Sequence, residues 1–353
     1  MARITHVVLS LLVGSLFVLA AADEATNAWR VVPIPGNETA VFVSISFADE
    51  LNGWLGDGRT SLLHSLDRGA SWSELPNNLA SIGAEISGLW FRNSTEGWAT
   101  GGIDSDAAIL RTRDGGRTWV VVQRWKSASR SQPARLLAMC FSDRERGWAV
   151  GFNADKPMIV STADGGEEWT EQRLRPRAGQ QILGELSRVV FRDSMNGWAL
   201  AGSGIITTTD GGIRWRFSPA GLVSLVDFDV TPNGDVWLAG SWGGIIRIGH
   251  SAGAVASPIP ELSDRFVAFV RFIDARRGWA LSSDGKIAAT RDGGRTWFAE
   301  KVQSAPSAVR VDERTVGAVT VTRSAAIAIA NPAHLLIRPL EREAPRRAQA
   351  TSR

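Results

Sequence analysis

No tyrosine occurs in this chain of 353 residues, so glycosidases that attack through a tyrosine nucleophile, as sialidases do, are excluded outright. Cysteine is almost as scarce. Cys140 stands alone inside the apolar run LLAMCF, which excludes a disulfide framework and reads as a small buried hydrophobe. The histidines His6, His64, His250 and His334 are scattered and show no ligand spacing, so neither a metal site nor a metal cofactor is expected. Lysine is confined to Lys126, Lys156, Lys286 and Lys301, and the formal net charge is only +3. Arginines are spread through the chain rather than gathered in a stripe with aromatics, so no nucleic-acid partner is expected. Membrane-length apolar runs are also missing. Val7 to Ala20 is shorter than a comfortable span; with Arg3 before it and Ala20-Ala21-Ala22 after it, it reads as an export signal over residues 1–22. A periplasmic or extracellular location is expected, with membrane association if the signal stays uncleaved.

What the chain has in quantity is tryptophan, 15 residues of it, and most of these fall in two alternating motifs. The first surrounds Trp54 (NGWLGD), Trp98 (EGWATG), Trp148 (RGWAVG), Trp198 (NGWALA), Trp237 (DVWLAG) and Trp279 (RGWALS). The second is a box ending at Trp72 (SLDRGASW), Trp119 (TRDGGRTW), Trp169 (TADGGEEW), Trp215 (TTDGGIRW) and Trp297 (TRDGGRTW). Successive first-motif tryptophans lie 44, 50, 50, 39 and 42 residues apart, averaging 45, the period of four-stranded propeller blades. An all-β, seven-bladed β-propeller follows, because the 312 residues from Trp29 to Leu340 amount to about 6.9 such periods.

Seven residues before each first-motif tryptophan stands Phe47, Phe91, Phe141, Phe191, Val230 or Phe272, with a further apolar residue two positions earlier. That alternation marks the first strand of each blade, the GW segment the second, the run before the box the third and the segment after it the fourth. The box reads as a hairpin turn. Asp67, Asp114, Asp164, Asp210 and Asp292 would accept backbone N–H groups there and the glycines would supply positive φ, a structural role that needs no catalysis. Repeat five has no box. Residues 307–341 read as an eroded seventh blade with Val311 in the phenylalanine position, completed by Trp29–Pro33 as its outer strand, which removes an open edge. The propeller is therefore assigned to residues 23–341 and a disordered basic tail to 342–353.

The pairing of F-x(5)-GW with [ST]-x-D-x-G-x-x-W resembles the BNR or Asp-box propellers, most closely the photosystem II stability/assembly factor-like family, over roughly residues 29 to 341. The resemblance implies an exported propeller without catalytic activity or small-molecule cofactor, binding a membrane-protein partner during assembly. A monomer is expected.

Two clusters invite a functional reading. Asp227 and Asp229, at i and i+2 on the first strand of blade five, share one face and form a charged axial group with Arg188, Arg271 and Arg310. The simplest account is mutual pairing across blades, since unpaired buried charge is costly; the alternative is a polysaccharide-acting glycoside hydrolase using Asp227 and Asp229 as its carboxylate pair. The second cluster lies in the turns after the first strands: Arg92, Arg144, Arg146, Arg192, Arg276 and Arg277 recur in the same loop of successive blades. Such positions project on one rim, where guanidinium groups would hold an acidic partner.

Overall fold

The computed structural model describes residues 28–35, 41–174, 182, 184–202, 204–219, 225–240, 244–249, 254–262, 266–303, 319–322, 325–331 and 334–340. They form seven sheets, six of them four-stranded antiparallel meanders in chain order. The first strands are Ser44–Phe47, Ala84–Phe91, Ala134–Phe141, Leu186–Phe191, Leu225–Val230 and Val267–Phe272. Segments from blades one to five line a central cavity of about 340 Å³, so these strands surround the axis of a seven-bladed propeller.

The first motif has a steric explanation. A Cβ on Gly53, Gly97, Gly147, Gly197 or Gly278 would stand less than 3.0 Å from the ring of Phe47, Phe91, Phe141, Phe191 or Phe272, so each phenylalanine lies flat on the backbone of its own second strand. Blade five confirms the coupling from the other direction: where the phenylalanine becomes Val230, the glycine becomes Val236, its direct cross-strand partner.

Each phenylalanine is also held from the neighbouring blade. Trp54 stacks on Phe91 with ring centres 3.7 Å apart, Trp148 on Phe191 at 3.5 Å and Trp237 on Phe272 at 4.9 Å. The blade's own box tryptophan closes the other side edge-on, as Trp119 does on Phe91 at 6.0 Å. These aromatic layers make the core, because flat sheets facing each other across a blade junction need wide rings to fill the space.

Five first strands carry a bulge, between Ile86 and Gly88, Leu136 and Ala138, Leu186 and Arg188, Leu225 and Asp227, and Val267 and Phe269. Four of the extra residues, Ser87, Leu137, Ser187 and Val226, line the axial cavity, the placement expected where a strand is bent to redirect a side chain.

The ring closes as the sequence predicts. Trp29–Pro33 pairs antiparallel with His334–Pro339, with Arg30 opposite Ile337 and Pro33 opposite His334. The last sheet gains a fifth strand that the sequence reading lacks, because Val302–Gln303 pairs parallel with the outer side of Trp29–Arg30. The register of blade seven also differs. Its inner strand is Val319–Val321, paired with Ala326–Ala328, rather than a strand ending at Val311. Thr320, opposite Ile327, occupies the place that Arg271, opposite Trp279, holds in blade six. Arg310 and Val311 lie outside the described residues, as do residues 1–22, expected to be an export signal, and 342–353, expected to be a tail.

Candidate functional site

The box turns are built as the sequence implies. Asp114 Oδ1 accepts the backbone N–H groups of Arg117 at 3.1 Å and Thr118 at 2.8 Å, and the hydroxyl of Thr112 at 2.8 Å. Thr112 Oγ1 in turn accepts the N–H of Gly116 at 2.9 Å, and the Trp119 indole returns to Gly116 O at 2.9 Å. Asp67, Asp164, Asp210 and Asp292 accept the hydroxyls of Ser65, Thr162, Thr208 and Thr290 in the same way; Trp72 and Trp169 repeat the indole bond to the box glycine, whereas Trp215 and Trp297 lie beneath their boxes without it. Hydrogen bonding to the ionised form lowers a carboxyl pKa; Asp292, bonded by the Thr296 hydroxyl and then its N–H, falls to about 2.

The boxes also clasp neighbouring blades. Trp54 Nε1 donates to Gly115 O at 2.9 Å, Trp98 Nε1 to Gly166 O at 3.4 Å and Trp148 Nε1 to Gly211 O at 3.1 Å. The first-motif tryptophans of blades one to three thus grip the box of the blade that follows. Blade seven has no box, and there a carboxylate replaces the glycine carbonyl: Glu300 Oε2 accepts Trp279 Nε1 at 3.1 Å and Trp29 Nε1 at 2.9 Å, and is ion-paired with Arg338.

The axial cluster is a pairing network. Asp227, fully buried, meets the guanidinium groups of Arg271 and of Arg188, the latter at 3.3 Å, and accepts the N–H of Val270 at 3.1 Å. Asp229 accepts the N–H of Phe272 at 2.7 Å. Blade one performs the same task with hydroxyls, Ser44 accepting Leu89 N–H at 2.8 Å and Ser46 accepting Phe91 N–H at 3.0 Å. These two positions therefore satisfy the unpaired inner edge of the next blade, whether the residue is Ser or Asp. Burial pushes the Asp229 carboxyl up despite Arg271, and burial together with Arg271 pushes the Arg188 guanidinium down despite Asp227. Cys140 is driven up to about 12 by burial, so its thiol stays protonated and unreactive at neutral pH.

The arginine-bearing turns and the boxes share one face, since Gly115, Gly165, Gly211 and Gly293 donate their N–H groups to Thr95, Glu145, Met195 and Arg276 carbonyls at 2.8–2.9 Å. On that box face the six arginines divide. Arg92 sinks between blades two and three, over Trp98 at 4.5 Å, donating to Arg144 O at 2.8 Å and paired with Glu96 at 3.2 Å. Arg277 is tied to Asp274 at 2.7 Å and Arg192 to Asp193 at 3.5 Å. Arg144, Arg146 and Arg276 are exposed and have no ion pair among the described residues. Arg276 and Arg277 share a cleft of about 480 Å³ with Arg291, a residue that sequence spacing missed because it belongs to a box rather than to the turn.

Two further features escaped the sequence reading. The box face carries exposed apolar side chains at Leu51, Leu66, Met195 and Ile213, two on blade one and two on blade four. Trp198 is half-buried, whereas Trp54, Trp98 and Trp237 are sealed. The missing box of repeat five was the available signal.

A family model described as Photosynthesis system II assembly factor YCF48 matches residues 20–123 and 120–222. No curated protein matches the sequence. Among solved structures, one described as YCF48 bound to D1 peptide is 19% identical with a TM-score of 0.69, covering 90% of this chain and 97% of that one. YCF48 from Cyanidioschyzon merolae is 18% identical, with a TM-score of 0.63 over 88% of this chain and 98% of its own. A streptogramin B lyase reaches a TM-score of 0.61 at 12% identity, covering 88% and 98%, which is a likeness of fold alone. The two family matches together span more than half of the sequence, and the chain belongs to the YCF48 photosystem II assembly factor family.

Proposed function

We propose that this chain is an exported, non-catalytic propeller that binds a membrane-protein subunit through its box face during assembly of a membrane complex. The observation that carries this reading is the set of exposed guanidinium groups on that face, at Arg144, Arg146 and Arg276, which have no ion pair among the described residues. On the same turns Arg92, Arg192 and Arg277 are tied to carboxylates. A bare guanidinium suits bidentate contact with a carboxylate, so the segment bound would be acidic. One YCF48 structure holds a D1 peptide, which supports a peptide segment of a subunit as the class of ligand. Against catalysis stands the commitment of both candidate carboxylates, Asp227 and Asp229, to guanidinium groups and backbone N–H groups; the serines of blade one occupy the same structural position.

Affinity capture from the cell envelope tests the reading. The mature chain, starting near Asp23, should retain a membrane-complex subunit at low salt and lose it as salt rises, because exposed charges are screened over about 8–10 Å at physiological ionic strength. Reversing Arg144, Arg146 and Arg276 to Glu should abolish capture with the melting temperature nearly unchanged. Capture that survives both high salt and the reversal overturns the assignment to this face, and a full-length chain that keeps Met1 in the cytoplasm overturns export.

A further inference from the structure

We propose that the box face is self-complementary and that two copies of this chain pair through it, face to face, about a twofold axis that passes through blade one. The inference does not depend on the partner proposed above, although Arg276 serves both surfaces, so that self-pairing and capture of an acidic partner exclude each other.

Each boxed blade builds its tip in the same way. A box N–H is donated to a carbonyl of the turn after the first strand, from Arg68 to Leu51 at 3.2 Å and from Gly115, Gly165, Gly211 and Gly293 to Thr95, Glu145, Met195 and Arg276 at 2.8–2.9 Å. Three side chains therefore stand at equivalent places in every tip: the turn residue that accepts, and the second and sixth residues of the box. Their chemistry changes from blade to blade. Blade one offers Leu51 and Leu66, and blade four Met195 and Ile213, which are 48–70% exposed. Blade two offers Arg113 and Arg117, blade three Glu145 and Glu167, and blade six three guanidinium groups, those of Arg276, Arg291 and Arg295. Whole sectors agree with their tips. Over its turn and box, blade three carries five carboxylates against two guanidinium groups, and blade six four guanidinium groups against two carboxylates.

These opposite charges are available to another molecule. Glu145 and Glu168 on blade three, and Arg276, Arg291 and Arg295 on blade six, are exposed and have no ion pair among the described residues. Asp274 is committed to its own turn by the N–H groups of Arg276 and Arg277 and by the Arg277 side chain, all at 2.7 Å, and Asp292 by the hydroxyls of Thr290 and Thr296. Glu167 is shared with Arg111 and Arg113 of blade two. A twofold axis lying in the plane of contact reverses the blade order of the second copy. With that axis through blade one, blade three of each copy meets blade six of the other, blade one meets itself, and blades two and four meet blades seven and five. Of the seven registers of such a pairing, this one alone sets apolar tips against apolar and acid against base with no like-charged tips opposed. Leucines at the axis with ion pairs on both flanks make an isologous contact with an apolar centre and a charged rim.

Analytical ultracentrifugation of the purified chain tests the pairing. At low salt the chain should show a reversible monomer–dimer equilibrium, weakened at least about tenfold in about 1 M salt, where charge attraction is screened over only about 3 Å. Replacing Arg276, Arg291 and Arg295 by Glu makes both sectors acidic, and Glu145→Arg with Glu168→Arg makes both basic. Each variant alone should therefore be monomeric, while an equal mixture of the two should pair. Recovery on mixing also shows that neither variant has lost its fold. Leu51→Ser with Leu66→Ser, at the axis, should weaken pairing by about tenfold. A parent chain that stays monomeric at about 0.1 mM and low salt, reversed variants that still pair alone, or a mixture that fails to pair overturns the proposal. Pairing untouched by the two serines overturns the axis through blade one.

Discussion

The junctions of blades one to four and the two boxless junctions solve the same packing problem differently. In the former, an indole N–H from one blade enters the glycine turn of the next at 2.9–3.4 Å. Between blades six and seven, Glu300 substitutes for the missing turn, gathering two indoles and Arg338 around one carboxylate. Between blades four and five nothing substitutes among the described residues. The contrast teaches that the repeated motifs are fasteners, and that a carboxylate can stand in where one of them is lost.

The comparison breaks most visibly at the closure. Removing the Glu300 carboxylate leaves Arg338 partly buried without its partner and two indoles without an acceptor, so Glu300→Ala should lower the unfolding free energy by about 3 kcal/mol in urea denaturation. A loss below about 0.5 kcal/mol would show that the carboxylate is not a substitute fastener.

Next in size is a steric pair. Gly197→Ala places a Cβ against the Phe191 ring and should destabilise by about 1–3 kcal/mol. Val236→Ala, across from Val230 rather than a phenylalanine, meets no ring and should cost only the lost methyl groups, about 1 kcal/mol. A Gly197→Ala variant as stable as the parent chain would undo the coupling between the glycine and the ring.

Truncating the clasping indoles sharpens the contrast. Trp148→Ala should cost about 1 kcal/mol more than Trp198→Ala, the usual worth of one hydrogen bond, since Trp148 donates to Gly211 O and the half-buried Trp198 makes no such bond among the described residues. Similar melting temperatures for the two variants would mean that the fourth junction is fastened after all.

Acid gives the smallest effect. The Asp292 carboxyl titrates at about 2 in the fold, against an ordinary 3.8, because Thr296 bonds its ionised form. A depressed pKa contributes stability that is present above the ordinary value and is lost as pH falls toward the folded one. Asp292→Asn should therefore flatten the part of the stability curve between about pH 4 and 2; an unaltered slope there would contradict the turn assignment.

Much of this was legible in the residues themselves. The F-x(5)-GW spacing marked the first two strands, the boxes marked the outer hairpins, and Trp29–Pro33 was recognisable as a displaced fourth strand. Legibility failed where no motif fixed the register, so blade seven was read as ending its inner strand at Val311 instead of Val321. The clasp from Trp54 to Gly115 joins residues 61 apart, and neither motif shows it alone. The recurrence of the arginine turns points to one face, where hydrogen bonds join them to the boxes, but it does not show which guanidinium groups are ion-paired. Arg92 is captured by Trp98 and by the unrepeated Trp90, 5.8 Å away, whereas Arg276 is left bare. At the axis, the pairing of Asp227 with Arg188 and Arg271 follows from the cost of buried charge, but its equivalence to Ser44 appears only once the bonds to the next blade are seen.

Hydrogen exchange, read on the chain alone and in its membrane complex, tests the central claim most directly. The account predicts slow exchange at Leu89, Phe91 and Phe272, whose N–H groups are capped by the preceding blade, in both states. It also predicts faster exchange around Trp198, whose indole makes no hydrogen bond among the described residues, and protection gained around Arg144, Arg146 and Arg276 in the complex. Uniform exchange across all junctions in the free chain, with protection gained on the opposite face in the complex, would contradict it.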